Sequence, residues 1–204
     1  MTQRVTATRG RPRTFDEDEV LDAALELFWT HGYRGTTTRD LEASLGLSQS
    51  SLYNAFGSKA ELLAAAQRRY EAKIERELLV PLETAEDGDD ALDRFLAALG
   101  RWVTTDPRRG CLVVNLMVED GGRSTSVRSR TRVSRRRVRR ALAAALTRGA
   151  GAARLTEDEI DARANVLLAL VLGLHVTARG GGSVQELRRL VDSARRQLAD
   201  WRRA

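Results

Sequence analysis

Cysteine, histidine, proline and aromatic residues are all scarce in this chain of 204 residues, and each scarcity excludes something. The single cysteine, Cys111, rules out an internal disulfide framework and fits a reducing, cytoplasmic compartment. The two histidines, His31 and His175, lie far apart, and no metal-ligand spacing or glycine-rich phosphate loop accompanies them. No metal or cofactor is therefore expected, and the absence of an acid–base or nucleophile set argues against an enzyme. Prolines occur only at Pro12, Pro81 and Pro107, which leaves long stretches free to form helices. No apolar segment follows the arginine-rich N-terminus as a secretory signal would require. The longest mostly apolar stretch, Val166 to Val176, is short for a membrane span, so no membrane partner is expected.

Carboxylates are also missing from one region. Residues 121–150 hold ten arginines and no Asp or Glu, so this block contributes +10 to a net charge of +6 and the rest of the chain sums to −4. Residues 1–62 carry seven Lys/Arg against nine Asp/Glu. Bulk charge is thus no argument for nucleic acid; any such binding must rest on placed contacts. The arginine block reads as a solvated helix face, with pairing to carboxylates of the fourth and ninth helices or an acidic ligand or partner as the alternatives.

What is present is helical periodicity, without strand alternation. Thr14/Glu17, Ser58/Glu61, Thr156/Glu159 and Ser183/Glu186 match the S/T-x-x-E capping pattern, in which hydroxyl and carboxylate satisfy free N–H groups at a helix start. Thr37/Asp40 is a weaker version. The spacing predicts an all-α chain of nine helices over 15–31, 38–45, 49–56, 59–79, 90–104, 109–119, 124–148, 157–178 and 184–202. The first is expected to stop at Gly32 and the fourth before Pro81.

The functional signal is TTTRDLEASLGLSQSSLYNAFGSKAELL, residues 36–63. Leu41, Leu45, Leu47, Leu52 and Phe56 form the inward face of two short helices, Gly46 sits in the turn between them, and Ser48 caps the second. The outward face carries Gln49, Ser50, Tyr53 and Asn54, which can hydrogen-bond but bear no charge. Glu42 departs from the usual alanine four residues before the turn glycine, and is expected at the edge of the packing.

Together with the preceding ALELFWTHGYRGTT, this segment closely resembles the TetR family of one-component repressors over roughly Phe15 to Leu63. The resemblance implies a two-domain repressor, with a three-helix DNA-binding domain at 14–62 and a ligand-binding and dimerisation domain at 63–204. It implies phosphate contacts from Thr37, Thr38, Tyr53 and Lys59, base contacts from Arg39, Gln49, Ser50 and Asn54, and Ser51 near the groove wall. Its partners would be double-stranded operator DNA, a small organic inducer and a second copy of the chain. A basic arm, 1–13, contains Arg9 and Arg11 in an RGRP core that looks like an AT-hook suited to a narrow minor groove; a plain basic tail is the alternative. A protein-interaction module using the same helices is the competing function.

In the second half, NVLLALVLGLHV is apolar on nearly every face and must be covered on both sides. Leu167, Leu170 and Leu174, with Leu187, Leu190, Val191, Ala194, Leu198 and Trp201 of the last helix, are the expected dimer interface. Phe95, Leu99, Trp102, Cys111, Asn115, Val118, Val171 and His175 are the candidate pocket, with Val114, Met117 and Leu167 beside them. RRGCLVVNLMVE, 108–119, resembles a GCLxxN-type segment of a TetR subgroup that includes cysteine-based sensors of oxidants and electrophiles. Arg108, Arg109 and the helix start are expected to lower the Cys111 thiol pKa.

Overall fold

The computed structural model describes residues 15–106 and 108–203. They form nine helices and no strand. These are α1 (Glu17–Gly35), α2 (Thr38–Leu45), α3 (Gln49–Phe56), α4 (Lys59–Ile74), α5 (Gly88–Thr105), α6 (Leu112–Asp120), α7 (Thr125–Leu146), α8 (Glu157–Arg179) and α9 (Val184–Arg203). Arg9, Arg11 and the Thr14 cap lie outside the described residues. α1 is capped instead by Asp16, whose side chain accepts from the amides of Asp18 and Glu19. Thr37/Asp40 makes a complete reciprocal capping box, as does Thr156/Glu159. Ser58 and Ser183 accept from the amides of Glu61 and Glu186.

Two boundaries depart from the sequence reading. α1 breaks at Gly32 (φ +76°), as expected, but one further turn follows to Gly35. The positive φ favours glycine there, and a Cβ would stand 2.7 Å from Glu119 Oε2, so a side chain would push that carboxylate aside. α4 does not end before Pro81. It passes through a π-helical turn (Glu75–Leu79) into a last α-turn (Val80–Thr84), where Pro81 occupies the first turn and its missing N–H costs no helical bond.

The apolar faces bury into two cores. One gathers Phe28 of α1, Leu41, Leu52, Leu62 and Tyr70 with Leu112 and Leu116 of α6. The other gathers Leu92, Leu99, Leu142, Leu167, Leu187 and Leu198 from α5, α7, α8 and α9. Each fully buried leucine contributes roughly 1.5–3 kcal/mol. Ile74 and Trp102 pack against both cores, so the end of α4 is common to the two halves. Polar ties hold the same junction: Arg179 of α8 donates to the carbonyls of Arg108 and Thr30, each at 3.1 Å.

The arginine-rich α7 buries Thr131, Ala141, Leu142 and Ala145 and exposes Arg128, Arg132, Arg136 and Arg140 at four-residue intervals. Pairing with neighbouring carboxylates is real but partial. Arg137 bridges Glu75 and Glu83 beyond α4, and Arg139 reaches Asp161 on α8.

α8 is, among the described residues, the one helix long and apolar enough to cross a membrane, which the stretch 166–176 alone did not suggest. Here one side of it packs against α7, α9, α6 and α5. Six residues expected at the dimer interface, Leu167, Leu174, Leu187, Val191, Ala194 and Leu198, are buried in the protomer's own core. Only Leu170, Leu190 and Trp201 keep exposure. The exposed stripe of α8 is instead Ala162, Val166, Ala169, Gly173 and Val176, at alternating four- and three-residue spacing.

Candidate DNA interface and ligand cavity

Gly46 ends α2 in the left-handed conformation (φ +63°), donating its N–H to the Glu42 carbonyl and turning the chain sharply into α3. Ser48 caps α3 through the Ser51 amide at 3.3 Å. Glu42, the residue expected merely at the packing edge, is a second cap: its Oε1 accepts the Gln49 N–H at 2.7 Å. A carboxylate on the first amides of a helix meets the positive end of its dipole, which fixes the start of α3 against α2. Leu41 and Leu52 are wholly buried beneath this turn, with Leu45, Leu47 and Phe56 packed around them.

The opposite face is open. Thr37, Arg39, Gln49, Ser50, Ser51 and Asn54 are exposed, while Thr38, Tyr53 and Lys59 are half-buried. The hydroxyls of Thr38 and Tyr53 lie 3.2 Å apart, tying the start of α2 to the middle of α3. Lys59 sits 4.4 Å over the Tyr33 ring at the start of α4. These residues offer the exposed Arg39 guanidinium, hydroxyls, two side-chain amides and, at Lys59, an ammonium at the start of a helix.

A cavity of about 300 Å³ opens between α4, α5, α7 and α8. Of the expected residues, Phe95, Leu99, Trp102, Cys111, Val114, Val171 and His175 line it. Val118 does not; it is 61% exposed on the far side of α6. Met117 and Leu167 are also outside the lining. Asn115 does not line it either, because its Nδ2 donates to the Arg109 carbonyl at 2.8 Å. Gly110 (φ +61°) leaves room for this, since a Cβ there would stand 3.1 Å from Asn115 Oδ1. Gly110 and Asn115 therefore interlock to shape the turn before α6.

The sequence reading missed the α4 wall: Tyr70, Glu71, Ile74 and, in the π-turn, Glu75, Leu78 and Leu79. Tyr70, Ile74 and Leu78 recur at four-residue spacing, a usable signal that ordinary core packing produces equally well. The Tyr70 ring stands edge-on to Trp29 at 4.8 Å and to Trp102 at 6.3 Å.

The polar groups of the cavity divide by depth. Around its charged side, Arg137 pairs with Glu75 and Glu83, and Glu71 accepts from Gln67 and Ser134. Deeper in, burial lowers the His175 pKa to about 4, so the imidazole is neutral, and raises that of the Tyr70 phenol. The Cys111 thiol is also pushed up by burial, which outweighs its contacts with Tyr70 and the Val114 and Val113 amides. The expected lowering by Arg108 and Arg109 does not occur. Arg109 lies 3.9 Å over the Trp29 ring and pairs with Glu26, so its charge is spent elsewhere. Cys111 itself precedes α6, whose first residue is Leu112.

An all-helical chain with an open reading face at one end and a walled cavity at the other is a helix-turn-helix regulator. Residues 20–66 match the model of the bacterial regulatory proteins of the tetR family, and residues 88–202 match a tetracyclin repressor-like C-terminal domain. The chain belongs to the TetR family. It is 30% identical over 204 residues to the HTH-type transcriptional repressor ComR of Escherichia coli K12, covering 96% of this chain and 94% of that one. A cysteine mutant of the TetR family regulator CifR, solved with 26-bp double-strand operator DNA, superposes with a TM-score of 0.80 at 29% identity, covering 92% of this chain and 98% of that one. A TetR regulator of Chloroflexus aurantiacus, at 24% identity and a TM-score of 0.73 over 90% of this chain and 92% of that one, shares the fold. These relatives are transcriptional regulators, not enzymes.

Proposed function

We propose that this protein is a cytoplasmic repressor that binds a pseudo-palindromic operator as a homodimer and is released when a small organic molecule fills the cavity. The observation that carries this reading is the continuity of α4. Lys59 stands at its start beside the reading face, and Tyr70, Glu71 and Ile74 form cavity wall on the same helix. Residues 14–62 serve as the DNA-binding domain and 63–204 as the ligand-binding and dimerisation domain. Arg39, Gln49, Ser50 and Asn54 read base edges in the major groove, Ser51 lies near its wall, and Thr37, Thr38, Tyr53 and Lys59 hold phosphates. The basic arm with Arg9 and Arg11 adds minor-groove contacts.

Dimerisation through α8 and α9 is supported by the exposed stripe of Val166, Gly173 and Val176, with Leu190 at 38% exposure beside it. A ligand that favours one separation of the two reading heads shifts operator affinity only by its differential affinity for the two states. The test is genomic footprinting followed by titration of the recovered operator. Sequence-dependent binding with a steep salt slope supports the reading; weak binding indifferent to sequence favours a protein-interaction module.

A thiol sensor of the GCLxxN subgroup is the second reading. It is supported by the position of Cys111 in the cavity wall and opposed by the raised thiol pKa. Operator release by oxidants and electrophiles, compared in Cys111→Ser and the parent protein, separates it from ligand-driven release.

A further inference from the structure

The reading head is short of positive charge. Residues 15–62 carry three cations, Arg34, Arg39 and Lys59, against nine Asp/Glu, a net −6, whereas a duplex is held chiefly by cations on its phosphates. Asp40, Glu42 and Glu61 accept from Thr37, Gln49 and Ser58 at the helix starts and keep their charge close to the reading face. The other half of the molecule already lends cations to the head: Arg69 pairs with Asp18 and Asp22, and Arg109 with Glu26.

Two further arginines stand at the seam between the halves, and the protein itself does not use them. Glu119 takes the backbone N–H groups of Tyr33 and Arg34, which sets the end of α6 against the end of α1. Lys59, the proposed phosphate ligand, lies over the ring of the same Tyr33. Arg123 follows Glu119 by four residues, in a turn where its N–H donates to the Asp120 carbonyl at 3.2 Å. Even fully extended, four residues span only about 13 Å, so Arg123 stays close to Arg34. Both side chains are exposed. The carboxylates beside them are spent on backbone amides, Glu119 on Tyr33 and Arg34, and Asp120 on Ser124 at 3.0 Å. Neither guanidinium has an ion-pair or hydrogen-bond partner among the described residues. Val127 packs against the core of the head, while Leu142 and Leu146 belong to the other core, so α7 carries its remaining arginines away from the head.

We propose that Arg34 and Arg123 form a second phosphate-binding pair, one guanidinium from each half, that grips the operator backbone beside the phosphate at Lys59. The occupant is the duplex held by the reading face, with which the pair is continuous through Tyr33, and the inference rests on that reading. A guanidinium–phosphate contact is charge-assisted and carries no base information. The pair therefore adds affinity and salt dependence without altering sequence choice.

The experiment is anisotropy titration of the full chain, over a range of salt, with the footprinted operator duplex and a mixed-sequence duplex of equal length. Arg34→Gln with Arg123→Gln should weaken both duplexes alike. It should lower the slope of log affinity against log salt by about 1 for each arginine removed in each bound protomer. Arg34→Lys with Arg123→Lys should restore most of that slope; a loss that the lysines do not restore overturns a role through charge. Arg136→Gln makes the same charge change at an exposed residue about 17 Å along α7 from Thr125, and should leave the slope as it was. An equal loss in Arg136→Gln overturns the pair in favour of a general positive field. A loss confined to the operator overturns it in favour of base contacts. If Lys59→Gln lowers the slope and the double glutamine variant does not, the pair alone fails. If the parent chain binds neither duplex, the reading of the DNA face fails with it.

Discussion

The Glu119 carboxylate accepts the backbone N–H of Tyr33 at 2.9 Å, immediately beyond the break at Gly32, and its other oxygen takes the Arg34 N–H at 2.6 Å. One side chain of α6 thereby closes the end of α1 and joins the DNA-reading half to the rest of the molecule. Glu119→Ala should lower unfolding free energy by about 1–3 kcal/mol, because both amides lose their partner. Glu119→Gln retains an acceptor and should lose less; urea denaturation of the two variants measures the difference.

Glu42 makes the corresponding contact within the reading head. In Glu42→Ala the Gln49 amide loses its acceptor, and the start of α3 should loosen by about 1 kcal/mol. Hydrogen exchange is the direct measurement. Amides at the start of α3 should exchange faster while those in the middle of α1 stay protected.

Cys111 should be a slow thiol. With its pKa raised, the thiolate fraction at pH 7 is below that of free cysteine, and alkylation by iodoacetamide should be slower than that of a free thiol. The rate should keep climbing at a pH where that of a free thiol has levelled. Fast labelling at pH 7 would instead support the sensor reading.

His175 makes stability depend on acid. Its folded pKa of about 4 lies below the ordinary 6.5, so the unfolded chain binds the proton more readily. The contribution is complete above pH 6.5 and is lost as pH falls toward 4, by roughly 3 kcal/mol in all. Denaturation midpoints between pH 7 and 4.5 should fall less in His175→Gln than in the parent chain.

The exposed stripe of α8 should govern assembly. No atom lies within 4 Å of a Cβ added at Gly173, so Gly173→Gln leaves the protomer undisturbed but fills the space against a partner helix. Combined with Val176→Glu, it should give monomers in sedimentation at micromolar concentration, with helical content by circular dichroism unchanged. A persistent dimer would move the interface elsewhere.

The reading head is largely legible in the sequence because its signals are local. Gly46, Ser48 and the Thr37/Asp40 box each act within a few residues, and the leucines around them follow one helical period. α8 resists such a reading because apolar residues on all sides erase direction: Leu167 and Val166 look alike in sequence, yet one is 1% and the other 45% exposed. Val118 fails for the same reason. Adjacency in sequence also misleads at Cys111, since the charge of Arg109 is committed to Glu26 and Trp29, partners more than 75 residues away. Tyr70 belongs to a helix that begins in the DNA-binding half, and only the third dimension brings it to Cys111.

The π-turn at Glu75–Leu79 has a mechanical consequence. Beyond it, Val80–Thr84 packs on α5 and α7 and shares their fixed frame. Before it, Lys59–Ile74 leans on α1. The turn carries an i→i+5 bond from the Val80 N–H to the Glu75 carbonyl and is followed by Pro81. Glu75, Leu78 and Leu79 of that turn line the cavity, so the place where α4 passes from one frame to the other is also cavity wall.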